Sequence, residues 1–557
     1  MRILLLSLCL AMAVPGLATA QTTTVKTSRE LNKLARKGKL SGSWVIAVPG
    51  VTSISLPKLQ VVEGRLDLAI PGLRAVDLPA LERVGSDLFV GCEAPPREQW
   101  ATLGPIRPLE QAAPAEPSPF VTGPGDKGRK AGEPSDDAGP PGLVSAPLLA
   151  EVGGGLAVCS PAVTGVSAPA LTEIGTDLQF YASASWSRLD LPALARVRAR
   201  IFGWIDGADL TVSLPALTTV DGSTQLGGAG TLTLQADALA STAALVITGS
   251  RRTASGRSAP FPSLTLPSLA LPVLERATNR LELRTLAGLQ ALELPALSRV
   301  DHLVLEDLPG VQAVRADLLE AIDDDLTVRG LTALGDLRMD ALTRVGGDLT
   351  LQGLRGPAFT LPPVAEIGGA LVLTDLRIRV LRIRGLRTAG SVRASGLGPV
   401  DLLELAALER VSGDLVLESN IGLAPSDTLP FLRPGDSTIR VFAAPKLATV
   451  AGRVRIAQAA FTAVRFDRLE QTGGDLTLVD LPVLNAARLP ALREVLGRLL
   501  IGGAPALTSL GLPTLVRADA LELAAMSGLQ RVSAPRFGGD VRQSGGTKVK
   551  AFDLPAP

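Results

Sequence analysis

Aromatic side chains are scarce in this chain, only 3% of its 557 residues, with one tyrosine and four tryptophans. A core built around rings is excluded, and burial falls to Leu, Val and Ala, with Gly and Pro filling the remaining space. Neither charge sign is in excess, with 55 basic against 54 acidic residues. That balance leaves no basic face for nucleic acid and no acidic tail. There is a single histidine, His302, which reads as a turn residue beside Asp301, and a lone turn histidine is ordinarily structural or solvated. No Gly-x-Ser-x-Gly, Cys–His pair or His-rich metal spacing occurs, so the familiar hydrolase and metal-centre signatures are missing. Gly123-x-Gly125-x-x-Gly128 matches a dinucleotide pattern only on paper, because its Pro-rich surroundings offer no preceding strand or following helix. The expectation is a non-enzymatic chain without cofactor.

Long apolar runs are absent beyond the N-terminus, so no stretch reaches the ~18 residues of a spanning helix. The N-terminus itself reads as a secretory signal over residues 1–20: Arg2, the apolar run Ile3–Val14, and Ala18-Thr19-Ala20 before Gln21. An extracytoplasmic location follows: secreted, surface or periplasmic. Two cysteines remain after cleavage. Cys92 and Cys159 occupy nearly the same slot on successive repeats if residues 93–146 loop out, with strands ~5 Å apart. In an oxidising compartment they are expected to pair.

What is present is a phrase that returns every 22 or 23 residues: Leu-Pro-x-Leu-x-x-Val, a short turn, then Leu-x-Leu. It reads Leu78-Pro79-x-Leu81-x-x-Val84 then Leu88-x-Val90, and still Leu489-Pro490-x-Leu492-x-x-Val495 then Leu499-x-Ile501. A fixed period of this size means a solenoid whose units are stable only when stacked. The expected fold is an all-β, right-handed parallel β-solenoid, leucine-rich-repeat-like, of about nineteen coils with a short N-terminal helical cap. Thr27-Ser28-Arg29-Glu30-Leu31 opens that helix and Gly38 ends it.

The organisation follows from where the phrase lapses. Residues 21–50 form the N-terminal cap and 51–92 the first coils. The stretch 93–146 is a Pro/Gly-rich insertion whose composition cannot order itself. Coils resume over 147–422, interrupted near 250–266, then break at 423–441 and finish over 442–557 with a C-terminal cap. Within a coil, alternation in Leu349-x-Leu351 or Leu371-x-Leu373 is the period of a strand with one face buried. Pro at the anchor lacks an N–H and suits a corner, and Gly346-Gly347-Asp348 or Gly473-Gly474-Asp475 supplies another.

Phrases such as Leu-Pro-Lys-Leu-Gln-Val-Val-Glu-Gly-Arg-Leu-Asp-Leu (56–68) and Ala-Pro-Ala-Leu-Thr-Glu-Ile-Gly-Thr-Asp-Leu-Gln-Phe (168–180) resemble the receptor L domain. That module is found in insulin and epidermal growth factor receptors and in fungal cell-wall glycoproteins. The resemblance covers most of residues 51–541 and implies a solenoid of parallel strands related to leucine-rich repeats, in proteins that bind protein ligands or organise walls. The chain departs from that family in lacking its dense cysteines. It departs from ordinary leucine-rich repeats in having no recurrent Asn after the Leu-x-Leu strand. No binding residue carries over.

Candidate sites are few. Tyr181 and Trp204 fall on equivalent slots of adjacent coils, with Trp186 close by, and strand alternation turns Tyr181 outward if Phe180 faces in. Such rings would form an apolar platform for a protein loop or sugar ring, or else cover a wide corner. Arg377, Arg379, Arg382 and Arg384 alternate with aliphatics and form an anion-binding candidate or a solvated face. Asp87, Asp177, Asp325, Asp348, Asp414 and Asp475 recur eight residues after their anchors, as caps of the turn entering the strand. Asp323, Asp324 and Asp325 are the densest acidic patch and the calcium candidate, though no metal is expected. The reading is a secreted or cell-surface repeat protein that binds a protein or polysaccharide partner through its solenoid face. The alternatives are an architectural envelope protein without a discrete ligand, and a β-helix enzyme acting on polysaccharide.

Overall fold

The computed structural model describes residues 22–92, 142–249, 264–398, 401–418 and 441–555. The expected signal over 1–20 and most of the insertions expected at 93–146, 250–266 and 423–441 lie outside the described residues. The chain is a parallel β-solenoid of about twenty coils with almost no helix. It divides into two compact units, Met1–Tyr181 and Ala182–Pro557.

In the first unit each full coil contributes three short strands, and each strand pairs in parallel with its equivalent one coil on. The Leu-x-Leu strands stack Trp44 on Leu66, Leu66 on Leu88, Leu88 on Leu156 and Leu156 on Leu178. The Val strands stack Leu40, Val62, Val84, Val152 and Ile174. A third ladder, just before each anchor, stacks Ile54, Val76, Val144 and Val166. The coil that ends at Cys92 therefore pairs directly with the coil that begins at residue 142 on all three ladders.

The phrase explains each corner. Leu81 N–H donates to the Leu78 carbonyl at 3.2 Å, closing a four-residue turn with Pro79 second. That is the position where a fixed φ is favourable and a missing N–H costs nothing. Leu59 to Leu56 and Leu171 to Ala168 repeat the bond at 3.2 and 3.1 Å. Between corners the inward residues are sealed: Leu78, Leu81, Val84 and Val90 are all 0% exposed. Each buried aliphatic side chain stabilises by roughly 1.5–3 kcal/mol before chain entropy is subtracted.

The helix spans Ser28–Leu34. Thr27 caps it, and a capping box joins Thr27 and Glu30. Glu30 accepts the Lys26 and Thr27 N–H groups, which lowers its pKa. Leu34 is buried, as its apolar side requires. Residues 22–25 already pair with 43–46, so the ladder begins ahead of the helix and the helix is spliced into the first coil.

The second unit repeats the three ladders. Its Val and Leu-x-Leu strands are paired from coil to coil, as in Ile322–Val345–Ile367 and Leu326–Leu349–Leu371, the Val ladder closing on a single bridge between Glu494 and Arg517. The pre-anchor ladder instead falls into two runs. One ends at the strand Asp336–Arg338, and the other starts at Arg355–Thr360 and forms a separate nine-stranded sheet ending at Ala551–Asp553.

Two features lock successive coils. Five of the six recurrent aspartates reach across to the following coil, where the carboxylate accepts a backbone N–H. Asp87 receives Gly155 at 2.9 Å, Asp325 receives Asp348 at 2.8 Å, and Asp348 receives Ala370 at 2.7 Å. Asp414 and Asp475 do the same for Arg453 and Arg498, at 2.9 and 2.8 Å. The residue preceding each of these five N–H groups is glycine, and it must be. A Cβ at Gly154, Gly347 or Gly369 would lie 2.1–2.3 Å from the carboxylate of the coil before.

The second feature is a corner after the Leu-x-Leu strand that turns through positive φ: Thr285, Asp307, Gly330, Gly353, Asp375 and Gly396 in one run. Gln458, Asp480, Gly503, Ala525 and Gly545 continue it. Glycine and aspartate tolerate this region, whereas β-branched Thr285, at φ 58°, does not. Thr285→Gly is accordingly expected to stabilise the protein by about 1 kcal/mol, the relieved strain exceeding glycine's entropy cost. Urea unfolding of the variant checks this, and a lowered midpoint would refute it.

Candidate functional site

The cysteines pair as expected. Cys92 and Cys159 form a disulfide with their Cα atoms 5.0 Å apart, stacked on neighbouring coils. Both sulfur-bearing side chains are buried with Phe89 and Ala157, and Tyr181 packs against this cluster. Tyr181 lies on the strand Leu178–Ser183, whose burial alternates: Phe180 faces in at 3% exposure and Tyr181 is half-buried. Its ring direction therefore agrees with the alternation, and the disulfide cluster forms its backing.

Trp204 sits on the strand Ile201–Ser213 of the second unit, between the buried Gly203 and Ile205. Its register partner on the next coil is Gly227, followed by Gly228. A Cβ at Gly227 would lie 3.7 Å from the indole Cζ3. With hydrogen in that place, the half-buried ring has no side chain of the facing residue pressed on it. Trp186 is different. It is 1% exposed, its N–H donates to Ser183 at 2.9 Å, and it is among the largest fully buried side chains. Its ring belongs to the core of the second unit and presents no face to a ligand.

A site not legible in the sequence lies beside the disulfide. Asp67 and Phe89 are the middle residues of Leu-x-Leu strands and should face out, yet they are 3% and 0% exposed. Asp67 is paired with Arg65, whose guanidinium lies 4.6 Å above the Phe89 ring centre. Burial pushes the Asp67 carboxyl up, and the hydrogen bond and charge of Arg65 only partly oppose this. Among the described residues Asp67 Oδ1 and Arg65 Nε have no hydrogen-bond partner.

The arginine row resolves into two kinds. Arg379 pairs with Asp401 at 3.1 Å and Arg382 with Glu404 at 3.6 Å, each one coil on. Exposed pairs of this kind contribute at most about 1 kcal/mol each. Arg377 and Arg384 make no ion pair among the described residues, and Arg377 stands in register with Arg355. The acidic patch is also dispersed. Asp323 is held by Arg299 at 2.7 Å, Asp324 lies 3.4 Å from His302 Nε2, and Asp325 accepts the Asp348 N–H. Among the described residues no group of three His, Cys, Asp or Glu is arranged to hold a metal ion. His302 itself lies within the strand Arg299–Glu306, opposite Arg280, and not in a turn. The ladder continues through it because the 299–306 strand runs around the corner with a register shift.

Where the pre-anchor ladder is interrupted, a cleft of about 620 Å³ opens in the second unit. Asp336, Arg338 and Asp340 line one side, and Phe359, Thr360 and Arg384 the other.

The ladders and corners define a leucine-rich-repeat-like solenoid. No family model matches the chain, and no curated protein matches it. Among solved structures it is similar to a leucine-rich repeat protein from Bacteroides ovatus, at 10% identity and a TM-score of 0.18, covering 69% of this chain and 79% of that one. It is also similar to TLR13 in its complex with ssRNA13, at 11% identity and a TM-score of 0.15, covering 95% and 91%. At such TM-scores neither likeness bears on function, and the architecture rests on the chain's own strand pairing. Among the described residues no helix is long and apolar enough to cross a membrane.

Proposed function

We propose that the chain is a secreted or cell-surface, non-enzymatic repeat protein that binds a protein or polysaccharide through a solenoid face. The observation that carries this reading is Trp204: a half-buried indole on a regular strand, with glycine as its facing residue. Rigid aromatic surfaces of this kind supply binding energy at little entropic cost. Tyr181, stiffened from behind by the disulfide cluster, is the second such ring. A disulfide between buried cysteines suits an oxidising compartment, in keeping with an extracytoplasmic location. The second reading is an architectural envelope role without a discrete ligand.

The test is capture by the immobilised protein of envelope polysaccharides and purified surface proteins. It is run beside a Tyr181→Ala/Trp204→Ala double variant whose unfolding curve matches the parent. Capture should fall roughly tenfold or more in the variant. Equal capture would place the binding face elsewhere, and no capture by either protein would favour the architectural reading.

A further inference from the structure

In the second unit, the Val and Leu-x-Leu ladders pass unbroken from the coil of Asp336–Arg338 to the coil of Arg355–Thr360. The pre-anchor ladder does not: Asp336–Arg338 pairs only with the coil before it, and Arg355–Thr360 only with the coil after it. Every other consecutive pair of pre-anchor strands in the described residues of this unit is joined. The cause lies in the sequence. Pro357 stands inside the second strand and lacks an N–H, and Pro362-Pro363 replaces the usual single proline at the corner that follows. Two coils held together on two sides are thus parted on the third, with an open strand edge on each wall of the 620 Å³ cleft.

We infer that this cleft is a docking site for a polypeptide segment in extended conformation, recognised through its main chain; the inference rests on the ligand-binding reading above. Three observations select that occupant. The walls offer main-chain edges, and the ligand complementary to a strand edge is another strand. The floor is apolar and incompletely sealed: Leu337, Phe359 and Leu361 are 6%, 6% and 4% exposed, whereas Val314 and Leu381 on flanking coils are at 0%. An extended segment with alternating apolar residues would cover that floor with one face. The rim carries charge of both signs, since Asp340 on one side and Arg384 on the other make no ion pair among the described residues. The volume falls within the roughly 300–1,000 Å³ of ordinary ligand pockets.

The probe is a fluorescent, end-blocked peptide copying residues 311–317 (Val-Gln-Ala-Val-Arg-Ala-Asp), the segment that pairs with the other edge of Asp336–Arg338. Anisotropy titration should show saturable binding, with slowed amide hydrogen exchange at 336–338 and 358–360. The same peptide N-methylated at alternate residues should bind at least tenfold more weakly. Gly335→Trp should weaken binding to the same degree. Gly335 lines the cleft, and the backbone accepts a side chain there, because a Cβ meets only the Gln312 carbonyl oxygen, at 3.9 Å. No binding at millimolar peptide, equal binding of the N-methylated form, or full binding to a folded Gly335→Trp would each overturn the inference. Failure here with Tyr181/Trp204-dependent capture intact would leave the general binding reading standing.

Discussion

Gly473→Ala is expected to cost about 3–5 kcal/mol, among the largest effects of any single methyl in this protein. The added Cβ would lie 1.8 Å from the Ala451 carbonyl oxygen and 2.7 Å from its carbon. Real contacts do not reach such distances, and the neighbour is backbone with no rotamer to yield. Nor can Gly473 move away, because its own N–H is bonded to the Val450 carbonyl at 2.8 Å. Relief therefore requires the Val ladder itself to open, and in a stack stabilised by nearest neighbours that loss reaches both adjoining coils. Gly511→Ala is the matched control, since nothing lies within 4 Å of its Cβ position. Urea unfolding should place Gly511→Ala within about 0.5 kcal/mol of the parent. A Gly473→Ala protein as stable as that control would show that the coils can slide apart cheaply.

Removal of the disulfide is expected to have a comparable effect. Cys92 and Cys159 are separated by 67 positions in sequence. On the chain-entropy model, closing a loop of that length stabilises by about 4 kcal/mol. The bond lies inside the first unit, so a Cys92→Ser/Cys159→Ser variant should lose stability there and leave the second unit's unfolding unchanged. Limited proteolysis followed by mass spectrometry should find new early cuts within 66–92 and 142–181. Because both cysteines are almost fully buried, dithiothreitol should act on the parent only slowly. A double-serine protein with the parent's unfolding midpoint and cleavage pattern would remove the disulfide from any account of stability.

The periodic part of the fold was legible because its causes are local. Proline at the second position of a turn, an alternating pair of leucines and a valine between them each act within a few residues, and all recur. The third strand of each coil was not legible. Its segments, such as Ser53–Ser55 and Ala75–Asp77, bury a single central residue and show no longer alternation. The aspartates were recognised as corner residues, but their partner is one coil away and spacing within a coil does not reveal it. Among site residues, Tyr181 faces as strand alternation requires, and the cysteine pairing followed from counting slots. Trp186 escaped because it lies in a turn, where neither periodicity applies. Asp67 and Phe89 escaped for the opposite reason: their alternation is regular and points outward, and burial overrides it.

The pairing of five corner aspartates with a glycine one coil later makes the array directional. A coil carrying the carboxylate needs a successor without a Cβ at the receiving corner, so adjacent coils are matched parts and not interchangeable copies. Asp325 with Gly347, Asp348 with Gly369 and Asp414 with Gly452 each obey this, the last across residues 419–440. A duplicated or transplanted coil would stack cleanly only if inserted in phase with its neighbours on both sides. Lengthening such a protein, by evolution or by design, is therefore constrained at the seams more than within the coils.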